Sequence, residues 1–187
     1  APAALTASAS AMSIGIATGD GNNQISNTGT ILSSSETSGG VSFVADAAGG
    51  AVESSANAAA VDCGEGDDTV VNQGDMLVNA TSDLESGDLH IAAFGEEVPH
   101  AGLTSQSTAV GADGDAGSDG IDNQWLIEAQ SQSMLSSSNV LIGLIGLEEV
   151  DADMTASSAS TGIAGGDGLD VLSNSDSIFS LSNASAG

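Results

Sequence analysis

A seven-residue motif occurs four times along the 187-residue chain. It reads Gly, any residue, Asp or Asn, any residue, Ile/Val/Leu, any residue, Asn. The copies end at Asn27, Asn72, Asn123 and Asn174. Successive copies are therefore 45, 51 and 51 residues apart. Repeats at such a period fold by stacking equivalent elements on one another. We expect one repetitive domain over residues 1–187, with units at about 1–45, 46–95, 96–147 and 148–187.

Each unit has three recognisable parts. A stretch of small residues comes first, at 6–17, 54–62 and 154–164 in three of the units. A Gly/Asp turn follows, where glycine supplies positive φ and Asp or Asn bonds nearby backbone amides. A second stretch carries an apolar residue four positions after each asparagine. These residues are Ile31, Met76, Ile127 and Ile178.

The composition favours strands over helices. The chain has three Phe, one Trp and no Tyr, so small and β-branched side chains must fill its core. These residues follow a period of two, and no segment has an apolar stripe at helical spacing. We predict an all-β fold, a parallel β-solenoid of the β-helix or β-roll kind. The alternatives are helices in the Ala-rich stretches and disorder from the acidity. Whether one unit forms one large coil or two smaller ones stays open.

The asparagines of the motif are predicted to form a structural ladder. Stacked units place Asn27, Asn72, Asn123 and Asn174 at one corner, where their amides can bond along the stack. The apolar residue two positions earlier points to the same face of its strand. Ile25, Val70, Ile121 and Leu172 are therefore expected to form a row beside the ladder. The alternative is an ordinary turn asparagine in each unit.

The charge is extreme: 26 acidic residues, no Lys and no Arg give a formal charge of −26. Nucleic-acid binding is excluded as a function, because no side chain can neutralise phosphates. Carboxylates without cationic partners repel one another, so the folded state needs screening salt or bound divalent cations. An alternative explanation of the acidity is solubility or adaptation to a salty medium.

One turn resembles a known calcium motif. Residues 165–172, GGDGLDVL, are similar to the GGxGxDxUx nonapeptide of RTX β-rolls, and the turns at 19–25 and 64–70 are looser versions. The resemblance implies Ca²⁺, a hard cation that takes six to eight oxygen ligands. RTX copies are contiguous, whereas these are far apart, so an ion would be shared between stacked units. The candidate metal ligands are Asp20, Asn23, Glu65, Asp67, Asp68, Asp115, Asp119, Asp167 and Asp170. The alternative is a set of structural turns without a bound ion.

The whole unit resembles the long tandem repeats of bacterial surface proteins, of the adhesin and autotransporter-passenger kind. Residues 13–31, SIGIATGDGNNQISNTGTI, and 160–178, STGIAGGDGLDVLSNSDSI, carry the likeness. It implies an extracellular or cell-surface location and a structural role. We therefore expect a secreted subunit of a filament or surface layer that self-associates by stacking, stabilised by calcium. The alternative is an adhesin fragment that binds a glycan or host surface. Ice or mineral binding and polysaccharide cleavage rank below both.

No catalytic constellation is recognisable, so we expect no enzyme. The chain lacks Lys, Arg and Tyr, and no nucleophile signature accompanies His90 and His100. These two histidines are expected to be surface residues rather than metal ligands. The single cysteine, Cys63, is expected to be a small buried residue.

A membrane span is not expected, because no stretch reaches the roughly 18 apolar residues that one needs. The longest apolar run lies at 139–147. The chain begins Ala-Pro-Ala without Met, which indicates a processed or trimmed N-terminus. Export is inferred on this basis.

Overall fold

The structure is a computed structural model that describes residues 5–46, 50–94, 100–145 and 151–187. These residues form fourteen strands and no helix. The strands are β1 (Leu5–Ala17), β2 (Gln24–Asn27), β3 (Ile31–Asp46), β4 (Gly50–Asp62), β5 (Thr69–Asn72), β6 (Met76–Phe94), β7 (His100–Asp113), β8 (Ala116–Gly117), β9 (Gly120–Asn123), β10 (Ile127–Ile145), β11 (Asp151–Ala164), β12 (Asp167–Gly168), β13 (Val171–Asn174) and β14 (Ile178–Ala186). The predicted all-β class is confirmed. Across the described ranges, the structure contains no helix that is long and apolar enough to cross a membrane.

The strands form three four-stranded sheets, and every pairing in them is parallel. Long sheet I has the order β1-β4-β7-β11, and long sheet II the order β14-β10-β6-β3. The short sheet has the order β13-β9-β5-β2, and β12 pairs with β8 nearby. Each residue pairs with its equivalent one repeat away, as Asn27 does with Asn72 and Asn72 with Asn123. Each unit therefore adds one strand to each of the three sheets.

An aliphatic core lies where the short sheet meets the two long sheets. Ile25, Val70 and Ile121 form a buried row on the short sheet. Met76 and Ile127 pack against this row from the start of long sheet II. Leu172, in the last unit, is 48% exposed. The predicted row is therefore buried in the first three units and exposed in the last.

In each unit, a small residue of long sheet I lies opposite a larger apolar residue at the start of long sheet II. A Cβ added at Gly15, Gly111 or Gly162 would lie within 2.5 Å of the Cγ2 atom of an isoleucine at the start of long sheet II. The second unit instead has Ala60 and Met76 at these two positions, and methionine has no Cγ2 branch. Glycine thus accompanies isoleucine and alanine accompanies methionine, because the unbranched Cβ of methionine leaves room for the alanine methyl group.

Between the two long sheets the interior is polar. Hydroxyl groups connect the sheets in series: Ser54 bonds Thr37, Ser82 bonds Ser54, Ser105 bonds Ser82, and Ser133 bonds Ser105, at 2.9–3.0 Å between oxygens. All five residues are buried. We call them the serine zone. Such short side chains meet only if the sheets approach more closely than the roughly 10 Å usual for stacked sheets. Further along lies a second apolar cluster, Val52, Leu84, Leu103 and Leu135.

The Gly/Asp turns have the backbone that their glycines predict. Gly19, Gly64 and Gly166 have φ of 72°, 75° and 83°, in the left-handed region. Asp115 occupies the equivalent place in the third unit with φ of 65°, and among the described residues it is the one non-glycine residue with positive φ. A Cβ at Gly66 would lie 2.6 Å from the backbone of Gly21, so stacking also requires glycine there.

Candidate functional site

The four motif asparagines lie in one column on the inner face of the short sheet. The side-chain Nδ2 of Asn27 donates to Oδ1 of Asn72, Asn72 to Asn123, and Asn123 to Asn174, each at 2.7 Å. Asn72 and Asn123 are 1% and 0% exposed. An amide carries both a donor and an acceptor, so each inner copy bonds both of its neighbours. We call this the asparagine column.

A second column lies four residues earlier in each unit. It contains Asn23, Asp68, Asp119 and Asp170, and we call it the aspartate column. The backbone N–H of Asn23 donates to Oδ1 of Asp68 at 2.6 Å, that of Asp68 to Asp119 at 2.8 Å, and that of Asp119 to Asp170 at 3.0 Å. These carboxylates satisfy amides of the turn in the preceding unit, which is a charge-assisted bond.

The other oxygen of the two inner carboxylates is isolated. Asp68 and Asp119 are each 2% exposed, and their Oδ2 atoms have no hydrogen-bond partner in the described chain. A Cβ at Gly114 would lie 2.7 Å from Oδ2 of Asp119, so this oxygen faces a closely packed backbone. Burial raises the pKa of Asp119, and the nearby Asp68 and Asp170 carboxylates raise it further, against the lowering effect of its bond to the Asp68 amide.

Cys63 stands beside this column, at the position that Gly114 and Gly165 occupy in the next two units. It is fully buried, as predicted from the sequence. Burial, followed by the charges of Asp68 and Asp119, raises the pKa of its thiol to about 12. A thiol with that pKa is almost entirely protonated at neutral pH, so it is a poor nucleophile and a poor metal ligand.

The remaining predicted ligands fall in other columns. Asp67 accepts a hydrogen bond from the Ser118 backbone at 2.9 Å, while its own N–H donates to Asn22. Asp20, Glu65 and Asp167 are exposed and occupy one further column, in which the third unit has Ala116. Asp115 lies in a fourth column, where the other units have glycine. Asp115, one of the predicted ligands, therefore takes the left-handed backbone position that glycine occupies in the other units.

A bound cation needs several oxygen ligands around one point. Among the residues that the structure describes, no three acidic, histidine or cysteine side chains are gathered around a common point. The inner aspartates each use one oxygen on a backbone amide, and their other oxygen is buried without a hydrogen-bond partner. The exposed column of Asp20, Glu65 and Asp167 keeps its oxygens in solvent. Calcium binding at these turns therefore stays a prediction. The side chains of His90 and His100 lie outside the described residues.

Two features of the site had no clear signal in the sequence motif. The serine zone could have been found from serine at alternate positions, but which serines meet across the interior depends on how the chain folds back. The second feature is Asp122, a partly exposed carboxylate whose pKa is lowered by hydrogen bonds from Ser173 and Gln124. No protein-family model matches the chain, and no significant similarity to a curated protein or a solved structure was found.

Proposed function

We propose that the chain is a secreted structural protein of the cell surface, in which the repeats form one parallel β-solenoid with one unit per coil. In this proposal it is a subunit of an extracellular filament or surface layer that assembles by stacking. The observation that carries the proposal is the asparagine column, whose 2.7 Å bonds run through all four units without interruption. A regular column of this kind suits a rod, since each unit presents the same pattern to the next.

The serine zone supports the same function. Its hydroxyl chain ties long sheet I to long sheet II across four consecutive strand pairs, from Thr37 to Ser133. A satisfied buried polar network holds one arrangement of the sheets more specifically than aliphatic contacts do. A body whose sheets are tied together in this way is suited to mechanical support.

Electron microscopy and sedimentation test the structural role directly. At high protein concentration we expect rods of constant width, with a rise of about 4.8 Å per coil. Circular dichroism should show a β spectrum. A helical or disordered spectrum would overturn the architecture, and compact monomers alone, with and without Ca²⁺, would overturn the filament.

Calcium is a separate part of the proposal. A cation that binds only the folded state adds about 2.7 kcal/mol of stability at a hundredfold excess over Kd. We expect a chelator at moderate ionic strength to lower the melting temperature by roughly 10 °C, and Ca²⁺ to restore it better than Mg²⁺. Asp67→Ala and Glu65→Ala should reproduce part of the loss. A melting temperature that responds to NaCl but not to chelator would remove calcium from the proposal.

An adhesin that binds a glycan is the second candidate. A groove of about 500 Å³ on the outer face of long sheet II is lined by Glu128, Gln130, Phe179, Ser180 and Leu181. Phe179 is 60% exposed there. An aromatic ring beside carboxylate and amide groups can stack on a sugar and bond its hydroxyls. Binding to a glycan array that is lost in Phe179→Ala but kept in Trp125→Ala would favour this candidate over the filament.

A further inference from the structure

The two ends of the array expose different strand edges. In the described chain, β1, β2 and β3 each have a neighbour on one side only, and so do β11, β13 and β14 at the opposite end. Such edges present unpaired N–H and C=O groups. Because all strands are parallel, the two edges are complementary rather than identical. A contact between them joins copies head to tail instead of closing a symmetric pair.

We infer that the edge formed by β11, β13 and β14 receives the edge formed by β1, β2 and β3 of a second copy of this chain, in the register of the internal repeats. This inference rests on the proposed function and specifies the contact between two copies, which we call the joint. In that register Asn174 lies beside Asn27 of the second copy, and Phe179 lies beside its Leu32.

The asparagine column has a hydrogen-bond donor available at one end and an acceptor available at the other. Nδ2 of Asn174 donates one of its two N–H groups to the backbone oxygen of Asp176, and the other N–H group remains for the joint. Oδ1 of Asn27 uses one of its two lone pairs to accept a hydrogen bond from the Gly29 amide, and the other lone pair remains for the joint. In the inner units these same groups form the bond to the next asparagine. The joint adds one more bond of the same kind.

The aspartate column ends in a neutral side chain on one side of the joint. The first unit has Asn23 where the other three have Asp68, Asp119 and Asp170. Nδ2 of Asn23 donates to the backbone oxygens of Gly19 and Gly21, which leaves Oδ1 for the amide of Asp170 in another copy. The bond across the joint would then be that of the inner units with a neutral amide oxygen as the acceptor, and Asp170 is the one carboxylate of the column that the joint would cover.

Acidic repulsion across the joint is no greater than inside the chain. The second and third units bring Asp62 beside Asp113 and Asp68 beside Asp119. In the proposed register, Asp167 beside Asp20 is the like-charged pair of the turn, while Ala164 lies beside Ala17. The joint therefore adds no like-charge contact of a kind that the inner units lack, and salt screens the repulsion between charges farther from it.

Apolar side chains favour the same register. Leu32, Leu77, Glu128 and Phe179 form one column of long sheet II. Leu32 and Phe179, at its two ends, are 71% and 60% exposed. On the inner face, Ile25 of the second copy would cover Leu172, which is 48% exposed, and continue the aliphatic row. Cross-strand pairs of this kind stabilise neighbouring strands.

Disulfide cross-linking of the double variant Leu32→Cys, Phe179→Cys tests the joint. Neighbouring strands lie about 4.8 Å apart, within the roughly 4.4–6.8 Å that a disulfide spans between Cα atoms. Within one chain the two positions are three strands apart, about 14 Å, so a bond forms only between copies. Mild oxidation should give a ladder of covalent oligomers. Cys63 is buried and should not react.

The matched control is Leu32→Cys, Leu181→Cys, which keeps the same face but shifts the register by two residues. Its Cα atoms would lie about 8 Å apart, too far for a disulfide. We expect at least tenfold fewer oligomers than in the first variant, and the two single-cysteine variants should give no more than a trace of dimer. Equal yields, or strong dimers from a single variant, would overturn the register. If wild-type filaments form while neither double variant cross-links, the joint is wrong and the filament stands. If sedimentation shows monomers throughout, the filament fails as well.

Discussion

The asparagine and aspartate columns lie four residues apart in the same segment of every unit, yet their buried polar atoms are satisfied to different degrees. In the asparagine column each inner amide both donates and accepts, so the column continues through side chains alone. A carboxylate can only accept, so the aspartate column depends on backbone N–H groups and leaves the Oδ2 atoms of Asp68 and Asp119 isolated. The first column stabilises the stack, and the second holds the turn in place at an electrostatic cost.

The largest effect is expected from Asn72→Ala, which interrupts the asparagine column. It leaves Nδ2 of Asn27 and Oδ1 of Asn123 without their present partner. Each buried polar group left unpaired costs about 1–3 kcal/mol, so we expect a loss of about 3 kcal/mol in the free energy of unfolding. Urea or thermal unfolding measures it. The control is Gln73→Ala, which removes the exposed Gln73–Gln124 bond and should cost less than about 0.5 kcal/mol. Equal losses in the two variants would contradict a special role for the buried column.

Asp119→Asn is expected to increase the free energy of unfolding. The amide oxygen keeps the bond from the Asp68 backbone, and the buried charge is removed. Asn23 shows that an amide fits the column, with Nδ2 bonded to backbone oxygens two and four residues earlier. We expect a gain of about 1 kcal/mol at neutral pH. Asp122→Asn, which changes a partly exposed carboxylate three residues later whose pKa is lowered rather than raised, should give no gain. Destabilisation by Asp119→Asn would show that the charge itself supports the turn.

Acidification should stabilise the wild-type chain through the same carboxylates. Burial is the main cause that raises the pKa of both Asp119 and Asp113 in the folded state. A raised pKa means that the folded state favours the proton, so this contribution is fully present below the unfolded pKa and is lost as the pH rises through the folded pKa. The melting temperature at constant ionic strength should increase as the pH falls from 7 toward the ordinary Asp range. The increase should be smaller in Asp119→Asn; an identical pH profile would assign the effect to surface charge alone.

The smallest effect is expected from Cys63→Ser. A hydroxyl is a stronger hydrogen-bond donor than a thiol, and the thiol stands beside the column that contains the isolated Oδ2 of Asp68. A new bond to this oxygen would offset the cost of burying the hydroxyl, so we expect a change within about 1 kcal/mol of wild type. Cys63→Ala, which cannot donate, is the control. If serine is clearly worse than alanine in thermal unfolding, Asp68 does not accept the bond.

Much of this architecture could be predicted from the sequence because repetition is a local signal. Equivalent residues of stacked units must meet, so the spacing of the motif alone placed Asn27 beside Asn72 and Ile25 beside Val70. The positive φ of Gly19 and Gly64 follows from glycine in a tight turn. The acidic residues were harder to interpret, because a carboxylate in a turn looks the same in sequence whether it bonds a backbone amide or a cation.

Only the tertiary structure separated the buried Asp68 and Asp119 from the exposed Asp20 and Glu65, and showed that Asp115 takes a glycine position. It also decided that one repeat adds one strand to each sheet, and that Ser54, Ser82 and Ser105 meet across the interior. Contacts along the stack join residues at a constant spacing, which a sequence displays. Contacts across the interior join residues at spacings set by where each strand turns back, and the repeats do not encode those spacings as a period.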